Sequence, residues 1–257
     1  MKHSLALVTG ASSGIGRALC DILASHGIDL MIHGRDLDHL EEAAKSLRNK
    51  VAVQVIQADL AKHNERRVLV ELIRQRVPDL VINNAGLGFY NEAISYPTEQ
   101  QMQILEVNGN ALLELTLEAA KAMKAVHKQG VVMNISSVAG FFIFPYFSVY
   151  AASKSFVNQL SQSLDYELCS DGIRVLTACP GVVDTNFRER SGGTPADNKN
   201  SLMTAQYAAE QIWKQINKTK RLNIFNWKYR LAVAARHFIP QFLYVEILKK
   251  NIKNRSQ

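Results

Sequence analysis

Short, wholly apolar runs alternate along this chain with helix-length amphipathic segments, and that alternation constrains the fold more than any other feature. Residues 5–8, 28–33, 51–57, 80–83, 131–135 and 173–178 read as strands. Between them, residues 14–25, 37–47, 64–76, about 98–128 and 149–169 read as helices. Strands apolar on both faces, each followed by a helix, describe a parallel sheet covered on both sides. The expected fold class is therefore α/β, a single doubly wound, Rossmann-like parallel sheet with helices on both faces and a C-terminal helical extension. At 257 residues the chain is expected to form one such domain, 1–257. Residues 130–153 carry no charge over 24 positions, enough to span a bilayer. Asn134, Ser136, Ser137, Gly140, Pro145 and Ser148 within it predict instead a buried strand followed by a loop.

An apolar fraction of 47% and a charged fraction of 21% exclude a disordered or low-complexity chain. Cys20, Cys169 and Cys179 are odd in number and scattered, which argues against a disulfide framework or a zinc site and points to a reducing, cytoplasmic setting. No signal peptide is visible, since the apolar start runs straight into Thr9-Gly10. The net charge of +7 is uneven: residues 228–257 hold seven basic residues and one acid, +6, which leaves +1 for residues 1–227. The basic balance therefore belongs to a tail and makes no case for nucleic-acid binding by the body.

The run Thr9-Gly10-Ala11-Ser12-Ser13-Gly14-Ile15-Gly16 follows the first strand and opens the first helix. Glycines there permit a tight turn and close approach of backbone to a pyrophosphate, and the helix N-terminus supplies free N–H groups. The spacing is GxxxGxG. At the end of the second strand, where NAD-binding folds carry an acid for the ribose 2′-OH, the sequence reads His33-Gly34-Arg35-Asp36. Gly34 stands in the acid's place, and the Arg35 guanidinium suits a 2′-phosphate, so NADP(H) is favoured over NAD(H). The alternative reading makes Arg35 a solvated loop residue and Asp36 only a helix N-cap.

Tyr150 and Lys154 stand four apart at the start of a predicted helix and so share one face. Neither group titrates near neutrality unaided, but a neighbouring ammonium favours the phenolate and lowers a tyrosine pKa. Ser137 stands thirteen residues before Tyr150, at the carboxyl end of a buried strand, where open α/β sheets bind ligands. Strand alternation points Ser136 the other way.

Taken together, Thr9–Gly16, Asp59, Asn83-Asn84-Ala85-Gly86, Asn108, Ser137, Tyr150, Lys154 and Pro180-Gly181-Val182-Val183-Asp184-Thr185 resemble the short-chain dehydrogenase/reductase family over about residues 4–185. The resemblance implies an oxidoreductase interconverting a carbonyl and a secondary alcohol. In it Tyr150 would be the general acid or base, and Lys154 would hold the nicotinamide ribose and depress the Tyr150 pKa. Ser137 would hydrogen-bond the substrate oxygen, and Asn108 would anchor a relay water. Asp59 and Leu60 would meet the adenine, and Asn84, Ala85 and Gly86 would line the cofactor cleft with Thr9, Gly10, Ser12, Ser13, Gly14, Ile15 and Gly16. Pro180, Gly181, Val183 and Thr185 would meet the carboxamide end. No metal is required, because hydride chemistry belongs to the nicotinamide. Asn108 has a second reading as a hydrogen-bonding residue inside a helix, and Asn83 and Asn84 as residues that serve the turn.

The segment 140–147 joins Ser137 to Tyr150 and holds five of the chain's twenty aromatics, and Leu87, Phe89, Tyr90 and Phe187 border the same site by resemblance. These residues suggest an apolar carbonyl or alcohol substrate; the alternative is that they pack on one another or on a subunit partner. Residues 187–201 lack periodicity and are expected to form a mobile substrate loop. From residue 228 onward, Leu231, Ala235, Phe238, Phe242, Val245, Leu248 and Ile252 recur at helical steps, with Pro240 dividing two helices. Family members commonly stop shortly after their last strand, so this tail departs from the pattern. It either packs on the body or across a dimer, lies on an anionic membrane surface, or covers an apolar pocket. The helix from 149 to 164 carries one charge in sixteen residues, so its outer face is expected to be buried in a homodimer or homotetramer. The competing readings of function are a catalytically silent dinucleotide-binding scaffold and a peripheral-membrane, lipid-modifying reductase.

Overall fold

The computed structural model describes residues 3–193, 202–236 and 238–253. Seven parallel strands form one sheet: β1 (Leu5–Thr9), β2 (Asp29–Gly34), β3 (Val53–Gln57), β4 (Leu80–Asn83), β5 (Gly130–Ile135), β6 (Ile173–Cys179) and β9 (Leu222–Ile224). Their order is β3-β2-β1-β4-β5-β6-β9, so the winding direction reverses between β1 and β4. A separate two-residue ladder joins β7 (Val183–Asp184) to β8 (Met203–Thr204).

Two apolar layers sandwich the sheet. On one face α1 (Gly14–Ser25), α2 (Leu37–Leu47) and α8 (Ala205–Asn217) pack Leu19, Leu23, Leu40, Leu47 and Ile212 onto Val8, Ile32, Ile82 and Met133. On the other, α3 (His63–Arg76), α5 (Leu112–Ala125) and α6 (Ser148–Leu168) bury Leu69, Ile73, Leu115 and Leu164 against Leu7, Val81, Val132 and Val175. Strand residues alternate between the two layers, as a period of two requires. The uncharged stretch 130–153 is strand β5, a 3₁₀ turn at Val138–Phe141 and the start of α6.

The helix expected over about 98–128 begins with α4 (Thr98–Leu105), and a π-helical turn, Glu106–Ala111, joins α4 to α5. Such bulges re-aim a side chain, and this one carries Asn108. A buried polar network ties the central strands to the helices. Asn83 Nδ2 donates to Asn134 Oδ1 at 2.8 Å and to Thr116 Oγ1 at 3.1 Å, and Asn134 Nδ2 donates to Ser161 Oγ at 2.9 Å. Asn83 thus belongs to the core.

Two segments depart from expectation. The region expected as a loop over 187–201 begins with a helical turn, α7 (Phe187–Arg190), in which Ser191 N bonds back to Phe187 O; residues 194–201 lie outside the described residues. The tail forms α9 (Trp227–Ala235) and α10 (Gln241–Lys253) on either side of Pro240, as expected, but its apolar stripe is largely exposed. Among the described residues no helix is long and apolar enough to cross a membrane.

Candidate active site

Where the winding reverses, the chain leaves the carboxyl ends of β1 and β4 toward opposite faces of the sheet, and a crevice lies between. A cavity of about 590 Å³ fills it. The loop from β1 to α1 forms one wall. Gly10 and Gly14 adopt φ of +66° and +56°, the left-handed region where glycine is unstrained. A Cβ on Gly16 would lie 2.2 Å from Gly10 O, so the helix can approach the strand only without a side chain there. Ser13, the N-cap of α1, makes no side-chain bond to the first turn, which leaves the helix's first N–H donors for a ligand.

Gly10, Ser12, Ser13, Gly14, Ile15, Arg35, Asp59, Leu60, Asn84, Ala85 and Gly86 all line the cavity, as do Ser137, Tyr150, Lys154, Pro180, Gly181, Val183 and Thr185. Three residues expected to touch a cofactor or substrate stand behind that lining: Thr9, Gly16 and Asn108. Thr9 is buried because its Oγ1 accepts from Asn84 N and Ala85 N, both at 3.0 Å, which pins the end of β4 to the end of β1. Asn84 Nδ2 returns a bond to Thr9 O at 2.9 Å. Asn108 is fully buried. Its Oδ1 accepts from Leu87 N and its Nδ2 donates to Leu87 O, both at 2.8 Å, and Nδ2 also donates to Ser153 Oγ at 3.0 Å. A Cβ built on Gly86 would lie 3.4 Å from Asn108 Oδ1 and 3.6 Å from Lys154 Nζ, so these two polar groups converge on one backbone position.

Helix α6 brings Tyr150 and Lys154 to the same wall. The Ser137 hydroxyl stands beside the Tyr150 phenol on this wall and favours its ionised form. Ser137 Oγ accepts from Ala139 N at 3.1 Å, while Ser136 Oγ faces away and donates to Lys154 O at 3.0 Å. Lys154 Nζ donates to Ile135 O at 2.9 Å and lies 5.6 Å from the Tyr150 ring centroid. Both groups are buried, and burial dominates their titration. It pushes the Tyr150 phenol well above the ordinary value, against the opposing pull of the Ser137 hydroxyl. It lowers Lys154 to about 8. The sequence predicts the opposite direction for Tyr150; the physical reason for the difference is desolvation of the buried phenolate.

Aromatic rings close the far side. Phe147 stacks on Tyr150 and on Tyr90, each at 4.2 Å between centroids, and Phe187 lies 5.6 Å from Tyr150. Phe142, Phe144 and Leu87 line the cavity with them, whereas Phe89 turns away onto Tyr96. The rings thus pack on one another and also face the cavity.

The sequence did not single out several lining residues. Arg188 and Arg190 come from α7, and Tyr229, Ala232, Tyr244 and Ile247 come from the tail, where they join Leu248 of the tail's predicted stripe. Arg190 Nη2 reaches Ser13 Oγ at 3.4 Å, and both burial and the charge of Arg35 lower the Arg190 pKa. Among the described residues neither Arg35 nor Arg190 is paired with a carboxylate. The two cations stand together at the mouth of the glycine-rich loop, and no local signal in the sequence could have paired them.

Comparison with known proteins agrees with this geometry. The sequence profile described as short chain dehydrogenase matches residues 4–195. An uncharacterised oxidoreductase of Staphylococcus saprophyticus is 33% identical over 221 residues, covering 82% of this chain and 93% of that one. Among solved structures, a short-chain dehydrogenase from Sphingobium yanoikuyae in complex with NADPH superposes with a TM-score of 0.82 at 28% identity, over 91% of this chain and 94% of the other. The bulky-bulky ketone specific alcohol dehydrogenase from Comamonas testosteroni gives 0.80 at 27% identity, over 93% and 95%. The chain thus belongs to the short-chain dehydrogenase/reductase family and is an NAD(P)-dependent oxidoreductase acting between CH–OH and C=O.

Proposed function

We propose that this protein is an NADP(H)-dependent reductase of bulky apolar ketones or aldehydes, and in reverse a dehydrogenase of the corresponding alcohols. The observation that carries this reading is the shape of one cavity. At one end, Arg35 and Arg190 flank the Ser12-Ser13 loop, and among the described residues no carboxylate is paired to either. At the other, Tyr150, Ser137 and Lys154 stand beneath a wall of Phe142, Phe144, Phe147 and Phe187. The left-handed glycines and open helix N-terminus suit a dinucleotide pyrophosphate, and the paired guanidinium groups suit a 2′-phosphate.

When bound, the nicotinamide supplies or takes the hydride at the carbonyl carbon. In reduction, the raised pKa keeps the Tyr150 phenol protonated, so it can deliver its proton to the carbonyl oxygen as the new C–H bond forms. The Ser137 hydroxyl hydrogen-bonds the same oxygen, where negative charge develops. The Lys154 ammonium favours the phenolate that results and holds the ribose. Asn108 positions Leu87 and Ser153 around Lys154 and serves the proton path from behind the lining. Thr9 and Gly16 set the loop that the pyrophosphate meets.

All 257 residues work as one unit with the tail included, since tail side chains line the same cavity. Phe156 and Tyr166 of α6 and Met102 and Leu105 of α4 are exposed on adjoining helices, which supports a homodimer or homotetramer joined through that face. Free thiols at Cys20, Cys169 and Cys179 fit a reducing compartment, the cytoplasm.

The test is NADPH consumption against bulky apolar ketones and small charged carbonyls, with NADH run in parallel. The expected result is turnover of the apolar ketones with NADPH. Turnover confined to small charged carbonyls would overturn the substrate class, and equal use of NADH would overturn the cofactor preference.

A further inference from the structure

The tail has two faces with different fates. Its inner face belongs to the cavity: Tyr229, Ala232, Tyr244 and Leu248 line it. Two contacts hold the tail there. Arg236 donates to Phe141 O, and the Tyr244 ring meets Phe142 edge-on at 5.9 Å. The Tyr229 ring also lies against Gly181, where a Cβ would sit 2.1 Å from Cε2.

The outer face is apolar and lies in water. Phe238 is 88% exposed, Phe242 68%, Trp227 62% and Leu231 61%. Exposed apolar side chains this large, gathered on one short pair of helices, mark a surface that something covers. Lys228, Arg230 and Lys250 are exposed on the same helices, and Lys249 is half-buried beside them. The occupant must therefore accept both aromatic rings and positive charge. A second copy would bring a +6 tail against a +6 tail. Nucleic acid would meet the charge but leave Phe238, Phe242 and Leu231 in water.

We propose that this outer face docks on an anionic phospholipid bilayer, with the rings inserted at the headgroup level and the lysines and arginines on the phosphates. The same helices would then set the mouth of the cavity at the lipid surface, so that apolar substrate enters from the bilayer. That last step rests on the apolar-substrate reading; the docking itself does not.

Vesicle flotation of the full chain tests it, with vesicles of phosphatidylcholine alone or mixed with phosphatidylglycerol, at low and high salt. The chain is expected to float with the mixed vesicles at low salt and to be released by high salt. Lys249→Glu/Lys250→Glu should weaken binding at least about tenfold. Leu231→Glu/Phe242→Glu should abolish it while leaving the melting temperature and NADPH binding unchanged, because both residues are exposed. No flotation at low salt, or equal flotation of the variants, would overturn the proposal. So would a vesicle-free self-association of the wild type that Leu231→Glu/Phe242→Glu disperses, because the face would then join copies of the chain. Turnover of water-soluble ketones without vesicles is read separately. A chain that floats yet reduces no ketone keeps the docking and loses the substrate reading, and the reverse result does the opposite.

Discussion

The sheet body and the C-terminal tail use the same helical periodicity and meet opposite fates. In α1, Leu19, Cys20 and Leu23 recur at helical steps and are fully buried under the sheet. In α9, Trp227 and Leu231 recur at a helical step, and with Phe242 of α10 they stand in water. The difference is what each stripe has to pack on. The body's helices lie on a sheet whose strands are apolar on both faces. The tail lies on a cavity rim already lined by aromatic rings, so it half-buries Tyr229, Tyr244 and Leu248 and leaves the rest in water. Periodicity therefore reports amphipathicity, and the neighbouring surface decides burial.

The sharpest break of this comparison would be a loss of chemistry on changing the tail, or none on changing the body. Tyr150→Phe should lower the reduction rate roughly 10²- to 10⁴-fold, the usual range for a general acid, with NADPH binding retained. Steady-state kinetics with a fluorescence titration of NADPH measures both. In stability the contrast should be nearly as large. Leu19→Ala, in the core, should cost about 2–5 kcal/mol in urea unfolding, whereas Leu231→Ala should stay within about 0.5 kcal/mol.

The two arginines come next in size. Arg35→Gln or Arg190→Gln should each reduce the preference for NADPH over NADH about ten- to a hundredfold, the value of a charge-assisted hydrogen bond to phosphate. Binding constants for the two nucleotides decide this, and an unchanged ratio for Arg190→Gln would return that residue to a structural role.

The smallest effect concerns Lys154. Burial lowers it to about 8 from an unfolded value of 10.5. Between those limits the unfolded chain holds a proton that the folded chain has released, so the Lys154 contribution to stability rises with pH across the window, while the buried Cys20 and Cys179 thiols, raised by burial, contribute the opposite slope. The ammonium that supports Tyr150 disappears over the same window, so the reduction rate should fall. The expected signature between about pH 8 and 10 is a melting temperature that falls more steeply in Lys154→Met than in the wild type, with the wild-type rate falling over the same window and the variant inactive.

Much of this was legible in the residues themselves. The six apolar runs become strands because each lies between two helical layers. The Tyr150–Lys154 spacing survives because it is local to one helix. The rest depends on where distant chain returns. Arg190 meets Ser13 across 177 positions, and no window of sequence carries that contact. Thr9 and Asn108 stood out by position, yet their hydrogen bonds turn them inward, which only the paired ends of β1 and β4 and the π-helical turn reveal. The direction of the Tyr150 shift also escaped, because burial is a property of the whole fold.

The most direct test of the central claim is label transfer from NADPH deuterated at C4 to a bulky ketone, read by the mass of the product alcohol. The wild type should pass the deuterium to the carbonyl carbon, and Tyr150→Phe should bind the nucleotide with little labelled product. Tight NADPH binding with no label in any ketone tested, or equal label from Tyr150→Phe, would contradict the account.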